Sequence, residues 1–240
     1  MNPTPSTPQN VDPEEISRFA ALASRWWDHE GEMKALHDIN PLRASYVDEK
    51  ARVSGKTLLD VGCGAGLFTE AMAAKGAVVT GIDAGEEILK VARLHLRESK
   101  LDIEYRQSTA EEFAARYPNG FDIVSCLEML EHVPDPASVV RACAGLCRPG
   151  GHLFFSSINR NTKAWLLAIL GAEYLLNMVP RGTHVYERLV RPSELSRWLR
   201  EANLRLDDLA GIEYNPVTRS YRISGSTEVN YLVHATKAGK

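Results

Sequence analysis

Three side chains that can move a proton or hold a cation follow one apolar run: Glu128, Glu131 and His132, within Cys126-Leu127-Glu128-Met129-Leu130-Glu131-His132-Val133. Spacings of three and four residues bring them to one side of the chain if the segment turns helically. Two carboxylates and an imidazole suit two kinds of chemistry. Together they can ligate a hard divalent ion, Mg²⁺ or Mn²⁺, or His132 can take a proton as a general base without metal. A plainer reading is a polar loop into the next helix, with Asp135 as its cap and Pro136 at its first position.

A second constellation is Leu58-Leu59-Asp60-Val61-Gly62-Cys63-Gly64-Ala65-Gly66, an apolar run ending in alternate glycines. Glycines at a strand-to-helix corner let the backbone turn sharply and a ligand approach without a Cβ in the way. Twenty-one residues after Gly62, Asp83 closes Thr80-Gly81-Ile82-Asp83. An acidic side chain there accepts hydrogen bonds from ribose hydroxyls. A dinucleotide fingerprint requires a small residue three positions beyond its second glycine, and Leu67 stands there instead. The turn resembles the acidic-x-Gly-x-Gly-x-Gly sequence of S-adenosylmethionine-dependent methyltransferases of the Rossmann-like class I. That resemblance implies S-adenosylmethionine as cofactor, held by Gly62, Gly64 and Asp83.

The elements that must carry these residues alternate. Apolar or β-branched runs at 57–61, 78–82, 103–106, 121–126 and 153–157 read as strands, and helical spacing fills 67–75, 86–99, 110–117 and 137–146. Strands alternating with helices make βαβ units, hence a parallel sheet covered on both faces. A helix follows at 191–202, then extended segments at 204–214 and 230–236, with the Arg-rich span 219–225 as a long hairpin connection. At the other end, Asp12 caps a helix, Pro13 suits its first position and Glu15 completes a capping box. Ile16, Phe19, Ala20, Ala23, Trp26 and Trp27 then form an apolar stripe that must cover something, and Asn40-Pro41 breaks the pattern before a second helical stretch. The expected fold is α/β, with a seven-stranded, mostly parallel sheet, an antiparallel edge hairpin and an N-terminal helical cover. Residues 1–11 read as a tail, and 12–240 as one domain with an apolar insertion at 162–188.

Further sequences occur in one order: Trp26-Trp27-Asp28, Asn40-Pro41-Leu42-Arg43, the glycine turn, Glu128-Met129-Leu130-Glu131-His132, Pro149-Gly150-Gly151, Asn159-Arg160-Asn161, Gly182-Thr183-His184 and Tyr214-Asn215-Pro216. Together they closely resemble the ubiquinone-biosynthesis O-methyltransferase family, from Val11 onward. The resemblance implies methylation of polyprenylated catechols at two steps, 2-polyprenyl-6-hydroxyphenol and 3-demethylubiquinol. It implies that Arg43 pairs with the methionine carboxylate of the cofactor, a planar bidentate match, and that Leu127 contacts the adenosine. It also makes other ubiquinone-biosynthesis proteins conceivable partners. A phenol with a pKa near 10 is only about one-thousandth ionised at pH 7, a deficit of roughly 4 kcal/mol. A metal on both catechol oxygens would remove most of it. The Asn/Asp-Pro-Pro-aromatic sequence common in N-methyltransferases is absent after the fourth strand, which favours oxygen as acceptor. Two rival readings stand beside this one: a methyltransferase for a soluble phenol, and a non-catalytic cofactor-binding scaffold.

A net charge of −3 argues against a general nucleic-acid binder. The four cysteines are too sparse for a disulfide scaffold and form no C-x-x-C pair, as in a reducing compartment. No apolar run is long enough to span a bilayer. The stretch 162–179, rich in Trp, Leu and Ile and flanked by Arg160, Lys163, Arg181 and Arg188, is expected to meet an anionic membrane surface or the polyprenyl tail. The expected location is cytoplasmic, peripheral on the inner face of the membrane. His29, His37, His95, His152 and His234 carry no partner pattern.

Overall fold

The computed structural model describes residues 10–165, 186–215 and 217–239. Most of the tail, and within the apolar stretch everything from 166 to 185, including Arg181 and His184, lie outside the described residues.

The chain opens with α1 (Pro13–Leu22) and a tight turn at Ala23–Arg25, then α2 (Lys34–Ala51). The alternation follows: β1 (Thr57–Val61), α3 (Leu67–Ala74), β2 (Val78–Asp83), α4 (Glu86–Ser99), β3 (Ile103–Gln107), α5 (Ala110–Arg116), β4 (Phe121–Leu127), α6 (Pro136–Leu146) and β5 (Cys147–Ile158). It ends with α7 (Thr162–Trp165), α8 (Pro192–Glu201), β6 (Leu204–Asn215), β7 (Ser220–Ser224) and β8 (Asn230–Lys237). One sheet contains all the described strands in the order β3-β2-β1-β4-β5-β8-β6-β7. The first five are parallel, and β8 joins β5 antiparallel.

The sheet has eight strands rather than the expected seven. The extra one is β7, in the span expected to be only a connection. It pairs antiparallel with β6, Tyr214 opposite Tyr221, and the two rings lie 4.9 Å apart. Tyr221 also packs on the core, while Arg222 on the other face reaches Glu213. Two arginines and flanking serines hid this alternation.

Adjacent residues of each central strand feed opposite cores. Leu58, Ile123, Phe154 and Leu232 pack beneath α2, α3 and α4 with Val47, Met72 and Leu89. Leu59, Val124, Phe155 and Val233 pack beneath α5, α6 and α8 with Phe113, Val140 and Leu195. Burying a side chain of this size stabilises by about 1.5–3 kcal/mol, so two-sided burial makes the middle of the sheet the rigid platform of the molecule. β5 starts earlier than expected and includes Pro149-Gly150-Gly151. A Cβ on Gly151 would stand 2.6 Å from Cys147 Sγ and 2.7 Å from Asp122 O, so only glycine fits there. All four cysteines are buried and unbridged.

Two helical expectations are corrected. α2 runs through Pro41 without a break. The ring removes one amide donor, and burial of Ile39, Ala44 and Val47 on the same helix holds both halves in place. The capping box at α1 does not form. Asp12 accepts from the Glu14 amide at 3.0 Å, whereas the Glu15 side chain turns inward. Asp135 does cap α6, accepting from the Ser138 amide. No helix among the described residues is long and apolar enough to cross a membrane.

Candidate active site

Strand order runs outward from β1 to β3 on one side and onward from β4 on the other. The crevice at the carboxyl ends of β1 and β4 is therefore the switch point where open α/β sheets bind ligands. A cavity of about 290 Å³ opens there, lined by the glycine turn, Asp83, Arg43, Leu127 to Met129, Glu131, His132 and the inner face of α1.

The glycine turn is built for close approach. Gly62 and Gly64 have φ of 72° and 54°, the left-handed region that other residues enter at a cost of roughly 1–2 kcal/mol. A Cβ on Gly62 would meet Met129 Cγ at 2.5 Å, and one on Gly64 would meet the Trp26 ring at 3.0 Å. Asp83 reaches back across the turn, accepting from the Gly64 amide at 3.0 Å and the Gly85 amide at 2.8 Å. Burial raises its pKa, and those amide bonds pull against the rise. Asp60, buried beneath the turn, accepts from Thr69 Oγ1 at 2.7 Å and Ser125 Oγ at 2.8 Å, and burial pushes it up to about 6. Its role is to hold β1, β4 and α3 together under the turn.

Arg43 projects from the middle of α2 and is buried, with an ion-pair contact of 2.7 Å to Glu128. Its Nε has no hydrogen bond among the described residues, so it offers a donor at the cavity wall. Leu127 ends β4 and lines the same cavity. Every residue expected to hold the cofactor thus borders one cleft.

Glu128, Glu131 and His132 also border it, but not in the expected arrangement. The segment does not wind as an α-helix. Glu128 has φ of 50°, its amide held by Ser156, and a short 3-10 turn spans Leu130–His132. The three- and four-residue spacings therefore do not stack the side chains. Glu128 faces Arg43, Glu131 Oε2 accepts from Ser157 at 2.9 Å, and His132 Nδ1 lies 2.8 Å from Glu15 Oε2. Among the described residues no three His, Cys, Asp or Glu side chains gather closely enough to hold a metal ion, so the expected Glu128, Glu131, His132 ligand set is not assembled in this arrangement. Glu131 Oε1 is buried without a hydrogen bond among the described residues, and burial, reinforced by the charge of Glu128, pushes its carboxyl well above the usual range.

Glu15 was missed as a site residue. Its signal was a carboxylate four residues before Phe19, on the stripe of α1 that had to face inward. Burial alone would raise its pKa, but the His132 hydrogen bond and the charges of His132, Arg18 and Arg188 outweigh this and hold it below the ordinary value. Trp26, against Gly64, and Trp27, whose Nε1 donates to Ala65 O at 3.1 Å, tie the same N-terminal cover to the turn.

A family described as a methyltransferase domain matches residues 30–209. The ubiquinone biosynthesis O-methyltransferase of Saccharophagus degradans is 57% identical over 229 residues, covering 95% of this chain and 97% of that protein. The protein of that name in Stutzerimonas stutzeri is 58% identical over 228 residues, 95% of this chain and 98% of its own. Among solved structures, magnesium protoporphyrin IX methyltransferase from Synechocystis with bound SAM superposes with a TM-score of 0.64 at 14% identity, covering 97% of this chain and 100% of that one. At that identity the likeness concerns the fold alone.

Proposed function

The chain belongs to the ubiquinone biosynthesis O-methyltransferase family, and on that premise we propose that it methylates polyprenylated catechols with S-adenosylmethionine as donor, at both 2-polyprenyl-6-hydroxyphenol and 3-demethylubiquinol. The observation that carries this reading is a single cleft with a cofactor-type wall of Gly62, Gly64 and Asp83 and an acid–base wall of Glu128, Glu131 and His132. A protein that only bound the cofactor would have no use for the second wall.

Bound S-adenosylmethionine supplies a methyl on a sulfonium, so the acceptor oxygen bonds to carbon as the sulfur–carbon bond breaks and the sulfur leaves as a neutral thioether. Alignment and proton removal are what remain for the protein. Arg43 would pair with the methionine carboxylate, Asp83 with the ribose hydroxyls, and Leu127 would pack on the adenosine. His132 would accept the acceptor's phenolic proton. General-base catalysis of this kind contributes about 10²–10⁴-fold. Glu131 Oε1, buried with no hydrogen bond among the described residues, favours a second reading, in which Glu128, Glu131 and His132 hold Mg²⁺ or Mn²⁺. That reading requires Glu128 to turn from Arg43. We further propose that residues 162–179 engage an anionic membrane surface on its inner face, where a polyprenyl substrate resides.

The test uses purified protein, methyl-labelled S-adenosylmethionine and two catechols, one prenylated and one bare, with and without chelator. Methylation of the prenylated catechol is expected, and no transfer to either catechol would overturn the proposal. Full activity in excess chelator supports His132 as the unaided base. Loss on chelation that Mg²⁺ or Mn²⁺ restores supports the metal.

A further inference from the structure

We propose that Glu15, on the N-terminal cover, is a positioning residue for His132: it accepts the Nδ1 proton, fixes the imidazole tautomer and so leaves the ring's lone pair on Nε2. The inference rests on the reading of His132 as an acceptor-side residue. It holds whether that nitrogen takes a proton or ligates an ion.

The geometry is specific. Glu15 Oε2 stands 2.8 Å from His132 Nδ1, and the two side chains are only 10% and 15% exposed. A guanidinium nitrogen of Arg18 lies 3.4 Å from the same Nδ1. Guanidinium can only donate and carboxylate oxygen can only accept. The shorter contact is to the acceptor, so Nδ1 carries the hydrogen. Phe19, one turn further along α1, meets the imidazole edge-on with centroids 5.0 Å apart and planes at 86°, which fixes the ring plane as the carboxylate fixes its rotation.

The carboxylate is itself held. Arg18 bonds its Oε2, and Arg188 lies 3.4 Å from Oε1 while pairing with Asp12 at 2.8 Å. These two guanidinium contacts hold the Glu15 carboxylate in place against the imidazole. Because α1 also lines the cleft through Ile16 and Phe19, the cover brings a working group to the acceptor side as well as shielding the cofactor. A carboxylate–imidazole pair of this type commonly changes ligand affinity or activity by about 10–100-fold when it is broken.

The test reads the tautomer directly. Full-length protein labelled with ¹⁵N-histidine is compared with Glu15→Gln by heteronuclear NMR of the imidazole nitrogens, with His132→Gln to assign the signal. Wild type is expected to carry the Nδ1–H tautomer, and Glu15→Gln, whose amide can donate as well as accept, to shift population toward Nε2–H. Its kcat should fall about 10–100-fold, while KM for S-adenosylmethionine moves less than about threefold, the split expected of a group that acts on the chemical step. A wild-type His132 protonated at Nε2, or a folded Glu15→Gln with unchanged kcat, would overturn the proposal. If Glu15→Gln does not fold, the wild-type tautomer alone decides it. Absence of methyl transfer by wild type would instead sink the functional reading, and the NMR result would stand apart from that failure.

Discussion

The ion pair between Arg43 and Glu128 joins α2 to the end of β4 across the cleft, and breaking it from one side should be costly. Arg43 is 5% exposed at its side chain and Glu128 14%, with 2.7 Å between nitrogen and oxygen. Removing one member of a buried pair destabilises by about 3–5 kcal/mol, because the other charge is left uncompensated. The small residual exposure of Glu128, on the rim of an open cleft, puts Arg43→Met near the lower end, about 3 kcal/mol. In that variant the Glu128 carboxylate would face Glu131, already pushed up by burial and by Glu128. Arg43→Met with Glu128→Gln removes both charges and should cost about 1 kcal/mol, since replacing both partners is far less disruptive than removing one.

Urea unfolding of the four proteins at neutral pH, with unchanged m values as the check on two-state behaviour, measures the coupling. Additivity within about 0.5 kcal/mol would refute the argument, because contacting charges in one network must couple by more than that. Calorimetry on the same variants reads the second role. Folded Arg43→Met should bind S-adenosylmethionine about 10–100-fold more weakly, as loss of a charged hydrogen bond of about 1.5–3 kcal/mol requires. Unchanged affinity would remove Arg43 from the carboxylate site.

Asp83→Ala should weaken S-adenosylmethionine by about 1.5–3 kcal/mol, and calorimetry finding wild-type affinity in a folded variant would place the ribose elsewhere. Away from the cleft, His152 Nδ1 and His234 Nε2 lie 3.0 Å apart across β5 and β8, and burial, followed by the charge of His152, pushes His234 down to about 4. The unfolded chain then binds more protons than the folded one between about 6.5 and about 4. Stability is thus present above 6.5 and lost as pH falls through that window. His234 stacks on Phe154, and His234→Phe should flatten the loss in acid titrations followed by circular dichroism. Residues 162–179 should float the protein with anionic vesicles, and Trp165→Glu with Leu176→Glu should abolish flotation. Equal flotation of wild type and variant would end the membrane reading.

The parts legible in the sequence were those whose signals are local. The expected bounds 86–99 coincide with α4, and Asp135-Pro136 starts α6 as its residue types require. The glycine turn was legible for a steric reason, since its φ values and the crowding by Met129 and Trp26 admit no side chain. What failed depended on distant partners. β7 is a strand because β6 lies beside it, with Tyr221 packed on a core assembled from α2 and β5. Glu128, Glu131 and His132 were found together, but their directions were not, since a left-handed Glu128 cannot be inferred from spacing. Glu15 carries the same lesson further. Its sequence neighbourhood offered a capping role worth about 1 kcal/mol, while a histidine 117 positions away and two arginines offered a charged network. Charge-assisted hydrogen bonds of about 1.5–3 kcal/mol each outweigh a cap. The local rule yields at the residue where the helical cover meets His132 at the cleft.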